Sequence, residues 1–184
     1  MSSYLAFVAS VLIGGLLLWR VLTFQTDLKE HSYKQNDTFR VQDAAMGVVE
    51  VLNDDFKRIG LGVLPPVFLT LDDDTLEYIT DVDDDSNPDI VRYFLTGTDI
   101  LASTPNPQDR ILFRQVNAGA KLALASGVTD FEIKYFDQTG METNTPADIK
   151  TMLVTLQMES TTPHDGEYVK FLWREKITPP NLLF

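Results

Sequence analysis

The first nineteen residues, from Met1 to Trp19, contain no charged side chain and are rich in leucine, with valine, isoleucine and phenylalanine. Extended to residue 24, this stretch provides about 21 residues from Tyr4 onward, enough for a helix to cross ~30 Å of hydrocarbon. Arg20 lies near enough to its end for the charge to reach the interface. We therefore predict a transmembrane helix over residues 1–24. A cleaved signal peptide is the alternative, but no basic segment precedes the apolar run and no small-residue cleavage site ends it.

The residues that follow predict that the helix continues beyond the membrane. Lys57 and Arg58, followed by Gly60, are typical of a helix end. No proline interrupts residues 25–38, so we predict one rod from about residue 4 to residue 59, with residues 25–60 as its amphipathic half. A break at residues 36–38, with Asp37 or Thr38 capping a second helix, is the alternative. The apolar residues that recur mostly at steps of three or four are Phe39, Val41, Ala45, Val48, Leu52, Phe56 and Ile59.

Beyond the proline pair at residues 65–66, short runs of β-branched and aromatic residues alternate with turn residues such as asparagine, aspartate and glycine. Short connections without further long helices favour an antiparallel sheet. The predicted fold class is therefore α+β, with a β-rich domain over residues 61–184 packed on the amphipathic half of the helix. The apolar end, residues 177–184, is predicted to dock onto the domain or a neighbouring subunit. The predicted strands cover residues 67–71, 76–80, 90–95, 111–113, 131–136, 152–158 and 168–173.

The charge balance argues against nucleic acid as a partner. The chain has 27 acidic and 15 basic residues and a formal net charge of -12, so a folded surface would repel phosphate backbones. The absence of cysteine excludes disulfides, thiolate metal sites and a cysteine nucleophile. We expect His31 and His164 to be exposed surface residues, and no glycine-rich phosphate loop or HExxH motif is present. We therefore assign no catalytic residue and expect neither enzymatic activity nor a small-molecule substrate.

One segment is unusually acidic. Nine carboxylates lie between Asp72 and Asp89 with no lysine or arginine among them. Alternating oxygen donors in a tight loop suit the six to eight hard ligands of Ca²⁺. Ser86 and Arg92 stand where an EF-hand loop has glycine and a bidentate glutamate. The other interpretation is a solvated hairpin that uses aspartate and asparagine for turn geometry. The candidate calcium ligands are Asp81, Asp83, Asp85, Asn87 and Asp89.

In their order, these features resemble the type IV pilin-like superfamily. Several local stretches look more specifically like J-type minor pseudopilins of type II secretion and W-type minor pilins, and the likeness covers nearly the whole chain. Each motif is degenerate, so the order carries the resemblance. The matching stretches are LNDDFKRIGLG at residues 52–62, DVDDDSNPDIVRY at 81–93, ASGV at 125–128, YFDQTG at 135–140, and the end of the chain from WR at 173–174 to NL at 181–182.

This resemblance implies a non-catalytic structural subunit of a type IV pilus or type II secretion assembly. It implies a single-pass membrane protein with a cytoplasmic N-terminus and an extracytoplasmic C-terminal domain. The partners would be the lipid bilayer and the helices of other subunits. Members normally carry a short basic leader and a glutamate four residues past the cut, where Leu5 would stand if Met1 were the first mature residue. Either a leader precedes this sequence, or the fold has been recruited as an anchored subunit of another envelope complex. A membrane-tethered calcium-dependent binding module is a further alternative.

Overall fold

The structure, a computed structural model, describes residues 2–72 and 74–182. It consists of one long helix followed by a seven-stranded antiparallel sheet, which confirms the predicted α+β class. This architecture is compatible with a pilin-like fold. The elements are α1 (Ser2–Arg58), β1 (Phe68–Asp72), β2 (Thr75–Thr80), β3 (Asp89–Leu95), β4 (Arg110–Val116), β5 (Leu122–Phe136), β6 (Thr151–Glu159), β7 (Lys170–Ile177) and a short 3₁₀ helix (Pro180–Leu182).

Helix α1 is continuous through residues 36–38, so the alternative with a break is wrong. The Thr38 hydroxyl donates a hydrogen bond to the Lys34 carbonyl at 2.8 Å, within the helix, and therefore does not cap a new one. The helix ends at Arg58, and Gly60 has a φ of 77°, the left-handed conformation expected of the glycine after a helix. The Thr80 hydroxyl donates to the Arg58 carbonyl at 2.6 Å and satisfies one of the free acceptors of the last turn.

The apolar stripe of α1 faces the sheet, with one exception to the predicted set. Phe39 is 69% exposed, whereas Val41 is buried. Two residues along a helix correspond to a rotation of about 200°, so Phe39 and Val41 cannot share a face. The prediction for Phe39 is therefore wrong. The buried positions of the stripe are Val41, Ala45, Val48, Val49, Leu52, Phe56 and Ile59.

The seven strands pair in chain order, β1 to β7, and every neighbouring pair is antiparallel. All seven predicted strands are present. β5 begins at Leu122, earlier than predicted, because pairing with β4 extends it through alanine, serine and glycine residues of low strand propensity. β1 ends at Asp72 and β2 begins at Thr75, and Asp73, between them, lies outside the described residues.

The core lies between the buried stripe of α1 and the inward face of the sheet. The Phe56 ring packs edge-on against Tyr78 and Tyr93, with centroid separations of 6.2 and 5.2 Å. The end of the chain docks as predicted as far as the described residues extend, because Ile177 and Leu182 are buried. Leu183 and Phe184 lie outside the described residues.

Candidate functional site

The projecting arm, which we define as residues 3–36 of α1, is exposed along its whole length. Leu12 and Trp19 are 62% and 70% exposed. The most apolar window of this helix is long and apolar enough to cross a membrane, and no part of that window is buried inside the protein. The predicted span is therefore a candidate single membrane span that contributes nothing to the core of the domain. An exposed apolar surface of this length is typical of a segment that contacts lipid or another protein.

Where the arm ends, Asp37 makes the first polar contacts of α1 with the domain. One oxygen of its carboxylate, Oδ2, lies 2.9 Å from Nε2 of His164 and accepts a hydrogen bond from the Thr162 hydroxyl at 3.0 Å. The hydrogen bond with His164 is the largest influence on the pKa of Asp37 and, despite opposition from desolvation, holds it below its ordinary value of 3.8. Arg40 also lowers this pKa, through its charge.

The prediction that both histidines are exposed is wrong for His164. Its side chain is only 10% exposed because the loop between β6 and β7 folds it against α1. His31 is exposed on the projecting arm, as predicted.

Further along α1, Asp55 forms an ion pair with β4. Its carboxylate accepts two hydrogen bonds from Arg114, from Nε to Oδ2 at 2.5 Å and from Nη2 to Oδ1 at 3.2 Å. The Tyr93 hydroxyl donates to the same Oδ2 at 2.5 Å. Burial tends to lower the pKa of Arg114, but the hydrogen bond and charge of Asp55 outweigh it and the pKa is raised. This bidentate pair fixes α1 against the middle of the sheet.

Sequence reasoning missed both contacts, although the helix pattern contains a signal for each. Asp37 precedes buried Val41 by four residues, and Asp55 precedes buried Ile59 by four. Both acidic residues therefore lie on the apolar stripe, where an unpaired carboxylate would be costly. An acidic residue in such a position predicts a polar partner on the facing sheet.

The candidate calcium ligands lie in the acidic loop, residues 81–89, between β2 and β3. The structure brings three of the five together: Asp81, Asp83 and Asp89 each offer a carboxylate oxygen, and these oxygens lie within 4.8 Å of one another. Desolvation raises the pKa of Asp83, and repulsion from Asp85 and Asp89 adds to the effect. A cation among these oxygens would relieve the repulsion.

The same carboxylates also build the turn itself. Asp81 is buried, and its two oxygens accept the backbone N–H groups of Asp85 at 3.2 Å and Ser86 at 2.9 Å. Asp89 accepts the Val82 N–H at 3.1 Å and the Asn117 side-chain amide at 2.6 Å. These are the contacts expected of the hairpin interpretation.

Asp85 and Asn87 are not part of the close group. The Asp85 carboxylate instead accepts hydrogen bonds from the side-chain amide of Asn87 at 2.9 Å and from its backbone N–H at 2.8 Å. These two bonds lower the pKa of Asp85, with the side-chain bond contributing most. The ligand set that the geometry favours is thus smaller than the predicted one.

No protein-family model matches the chain, and a search of curated proteins finds no match.

Proposed function

We propose that this protein is a non-catalytic structural subunit of a membrane-anchored assembly of the pilin or pseudopilin kind. Residues 4–24 would cross the membrane, and the sheet domain would lie outside the cytoplasm. The observation that carries the proposal is a single continuous helix whose N-terminal half is apolar and exposed and whose C-terminal half forms one side of the domain core. That arrangement suits the attachment of a folded domain to a membrane or to a bundle of helices.

The likeness of the motifs to J-type minor pseudopilins and W-type minor pilins supports the narrower assignment. In that role the projecting arm would pack against equivalent helices of other subunits. The alternative is a pilin-fold subunit of a different envelope complex, in which the same arm would act as a permanent anchor. Both versions place a lipid bilayer and other protein subunits among the partners, and neither requires a small-molecule substrate or nucleic acid.

Membrane attachment and orientation are tested together by cysteine labelling, because the natural chain contains no cysteine. Met141, 69% exposed on the domain, is replaced in one variant, and Ser3 in another. We expect the protein to remain in the membrane after alkaline extraction. A membrane-impermeant maleimide added to spheroplasts should label Met141→Cys before lysis and Ser3→Cys only after lysis. Release by alkali, or labelling of Met141→Cys only after lysis, contradicts the proposal.

Assembly is tested by oxidative cross-linking within the arm. Val11→Cys should form disulfide-linked dimers in native membranes when helices of neighbouring subunits are in contact. Met141→Cys is the control for random collision. If neither Val11→Cys nor a cysteine at any of the next three positions, which together cover a full helical turn, cross-links above the control, the arm does not pack against a second copy of this chain. Mass spectrometry of the native N-terminus, with electron microscopy of the purified particle, distinguishes the two versions of the proposal. A processed N-terminus in a fibre supports the pilin role. An unprocessed N-terminus in a discrete particle supports recruitment into a different envelope complex.

The close approach of Asp81, Asp83 and Asp89 favours a second candidate function, calcium-dependent binding through the acidic loop. These carboxylates would supply part of a Ca²⁺ shell, and water would complete it. Calorimetry on the full chain in detergent should then show heat on addition of Ca²⁺, with a rise in the unfolding temperature. Asp83→Asn should weaken both effects, whereas Asp130→Asn, at an exposed position on β5, should not. Absence of heat and of any thermal shift rejects this function.

A further inference from the structure

The place where α1 leaves the domain is held by one small group of contacts. Along α1, every residue from 3 to 36 is exposed, Asp37 and Thr38 are half-buried, and Val41 is the first fully buried residue. Among the described residues, Asp37 is the outermost residue of α1 that forms a hydrogen bond with the sheet domain. Its partners, Thr162 and His164, both come from the loop between β6 and β7.

That loop, residues 160–169, is itself braced. A backbone N–H from Ser160 donates to Val169 at 2.9 Å, and His164 and Glu167 exchange backbone hydrogen bonds at 2.8 and 2.9 Å. Asp165 and Gly166, with φ of 53° and 81°, form the tight turn at its tip. The loop therefore presents Thr162 and His164 from a fixed backbone.

A second tie connects the loop to the rest of the domain. The Tyr168 hydroxyl donates to the Pro105 carbonyl at 2.9 Å, across to the connection between β3 and β4. The Ser160 hydroxyl donates to the Thr162 carbonyl at 2.8 Å and accepts the Val169 N–H at 3.0 Å. These bonds connect the loop to residues next to the end of β6 and the start of β7, and to the connection between β3 and β4.

We propose that the loop between β6 and β7 is a clamp on Asp37 that sets the direction in which the projecting arm leaves the domain. The clamp acts through geometry: two donors meet one carboxylate oxygen, one from a hydroxyl and one from a ring that is only 10% exposed. With the clamp intact, the domain contacts α1 one helical turn closer to the N-terminus than the point at which the apolar core begins. The proposal does not depend on what surrounds the arm, so it can fail or hold independently of the proposed function.

Because the arm is long, a small change in angle at this contact produces a large displacement of the far end of the arm. From Val41 to Gln25 is about 16 residues, or about 24 Å of helix at 1.5 Å per residue. A tilt of about 10° at the end of the domain would displace Gln25 by about 4 Å, and a point at Tyr4 by about 10 Å, by the same rise per residue. Release of the clamp should therefore appear as a spread in the position of the arm relative to the domain.

The test is a spin-label distance measurement on the full chain in detergent micelles. Gln25→Cys on the arm and Ile100→Cys on the domain provide the two label sites, and no native cysteine interferes. Both positions are exposed, Ile100 by 58%. Double electron–electron resonance then gives the distribution of distances. We expect a narrow distribution for the parent and a distribution broadened by several ångströms for Asp37→Ala.

Matched variants separate a clamp from a general loss of stability. His164→Ala removes one of the two donors and should broaden the distribution less than Asp37→Ala, which removes the acceptor of both. The double variant Asp37→Ala/His164→Ala should be no broader than Asp37→Ala alone. Thr162→Val removes a single donor and should give an intermediate width. Asp43→Ala changes an exposed acidic residue of the same helix and should leave the width unchanged. An unchanged width in Asp37→Ala, or equal broadening in Asp43→Ala, overturns the proposal.

Discussion

The buried ion pair between Asp55 and Arg114 gives the sharpest test of how α1 is fixed to the sheet. The two side chains are 14% and 18% exposed and make a bidentate contact. At a separation of about 3 Å and an effective dielectric constant of about 20, their attraction is about 5 kcal/mol before desolvation is subtracted. Because desolvation offsets much of this, the pair adds little by itself, but either partner left alone is costly.

Asp55→Leu leaves Arg114 without its carboxylate and Tyr93 without its acceptor, so we expect a loss of about 4 kcal/mol in the free energy of unfolding. Arg114→Met leaves Asp55 with the Tyr93 hydroxyl, so the loss should be smaller, about 3 kcal/mol. The double variant replaces the pair by apolar side chains and should lie within about 1–2 kcal/mol of the parent. The two substitutions are thus expected to be far from additive.

Urea unfolding of the full chain in a non-denaturing detergent measures these values. Trp173 packs against the core and reports on the domain when Trp19 is replaced by phenylalanine. The exposed pair of Glu132 and Lys134, at 43% and 40% exposure, is the control, and its coupling should not exceed about 1 kcal/mol. If the double variant loses as much stability as the two single variants together, Asp55 and Arg114 do not act as a coupled pair.

Other substitutions probe the helix end, the core and the clamp. Gly60→Ala places a side chain at φ 77° and should lower the free energy of unfolding by about 1–2 kcal/mol. Gly47→Ala lies in the middle of the helix with open space around its Cβ and should raise the free energy of unfolding by about 0.5–1 kcal/mol. Urea unfolding measures both changes. Leu52→Ala should cost about 2–5 kcal/mol by the same assay, while Leu12→Ala, on the arm, should leave domain unfolding unchanged. The histidine hydrogen bond holds the pKa of Asp37 below 3.8, so its stabilisation is complete well above that pH and is lost as pH falls toward the lower folded-state pKa. Asp37→Asn should therefore unfold with a shallower pH dependence below about pH 4, and an identical slope would contradict the assignment.

The sequence alone determined the order and type of the elements. A charge-free run of nineteen residues, followed by Arg20 and four more uncharged residues, indicates a candidate membrane span. The three- and four-residue spacing from Val41 to Ile59 indicates a helix with one buried face. Lys57, Arg58 and Gly60 placed the helix end, because capping is a local property. The strands followed from β-branched runs between turn residues, and β5 was predicted too short where pairing with β4 outweighs weak local propensity.

Which polar residues act together depends on how the chain packs in three dimensions. His164 lies 127 residues from Asp37, and Arg114 lies 59 residues from Asp55. Periodicity places each acid on the apolar stripe, but it does not say which strand or loop will face it. The acidic loop shows the same limit: alternate spacing nominated five ligands, and the fold of the turn gathers only Asp81, Asp83 and Asp89. Local chemistry sets the conformation of each segment, whereas contacts between distant segments depend on how the sheet packs around α1 and therefore appear only in three dimensions.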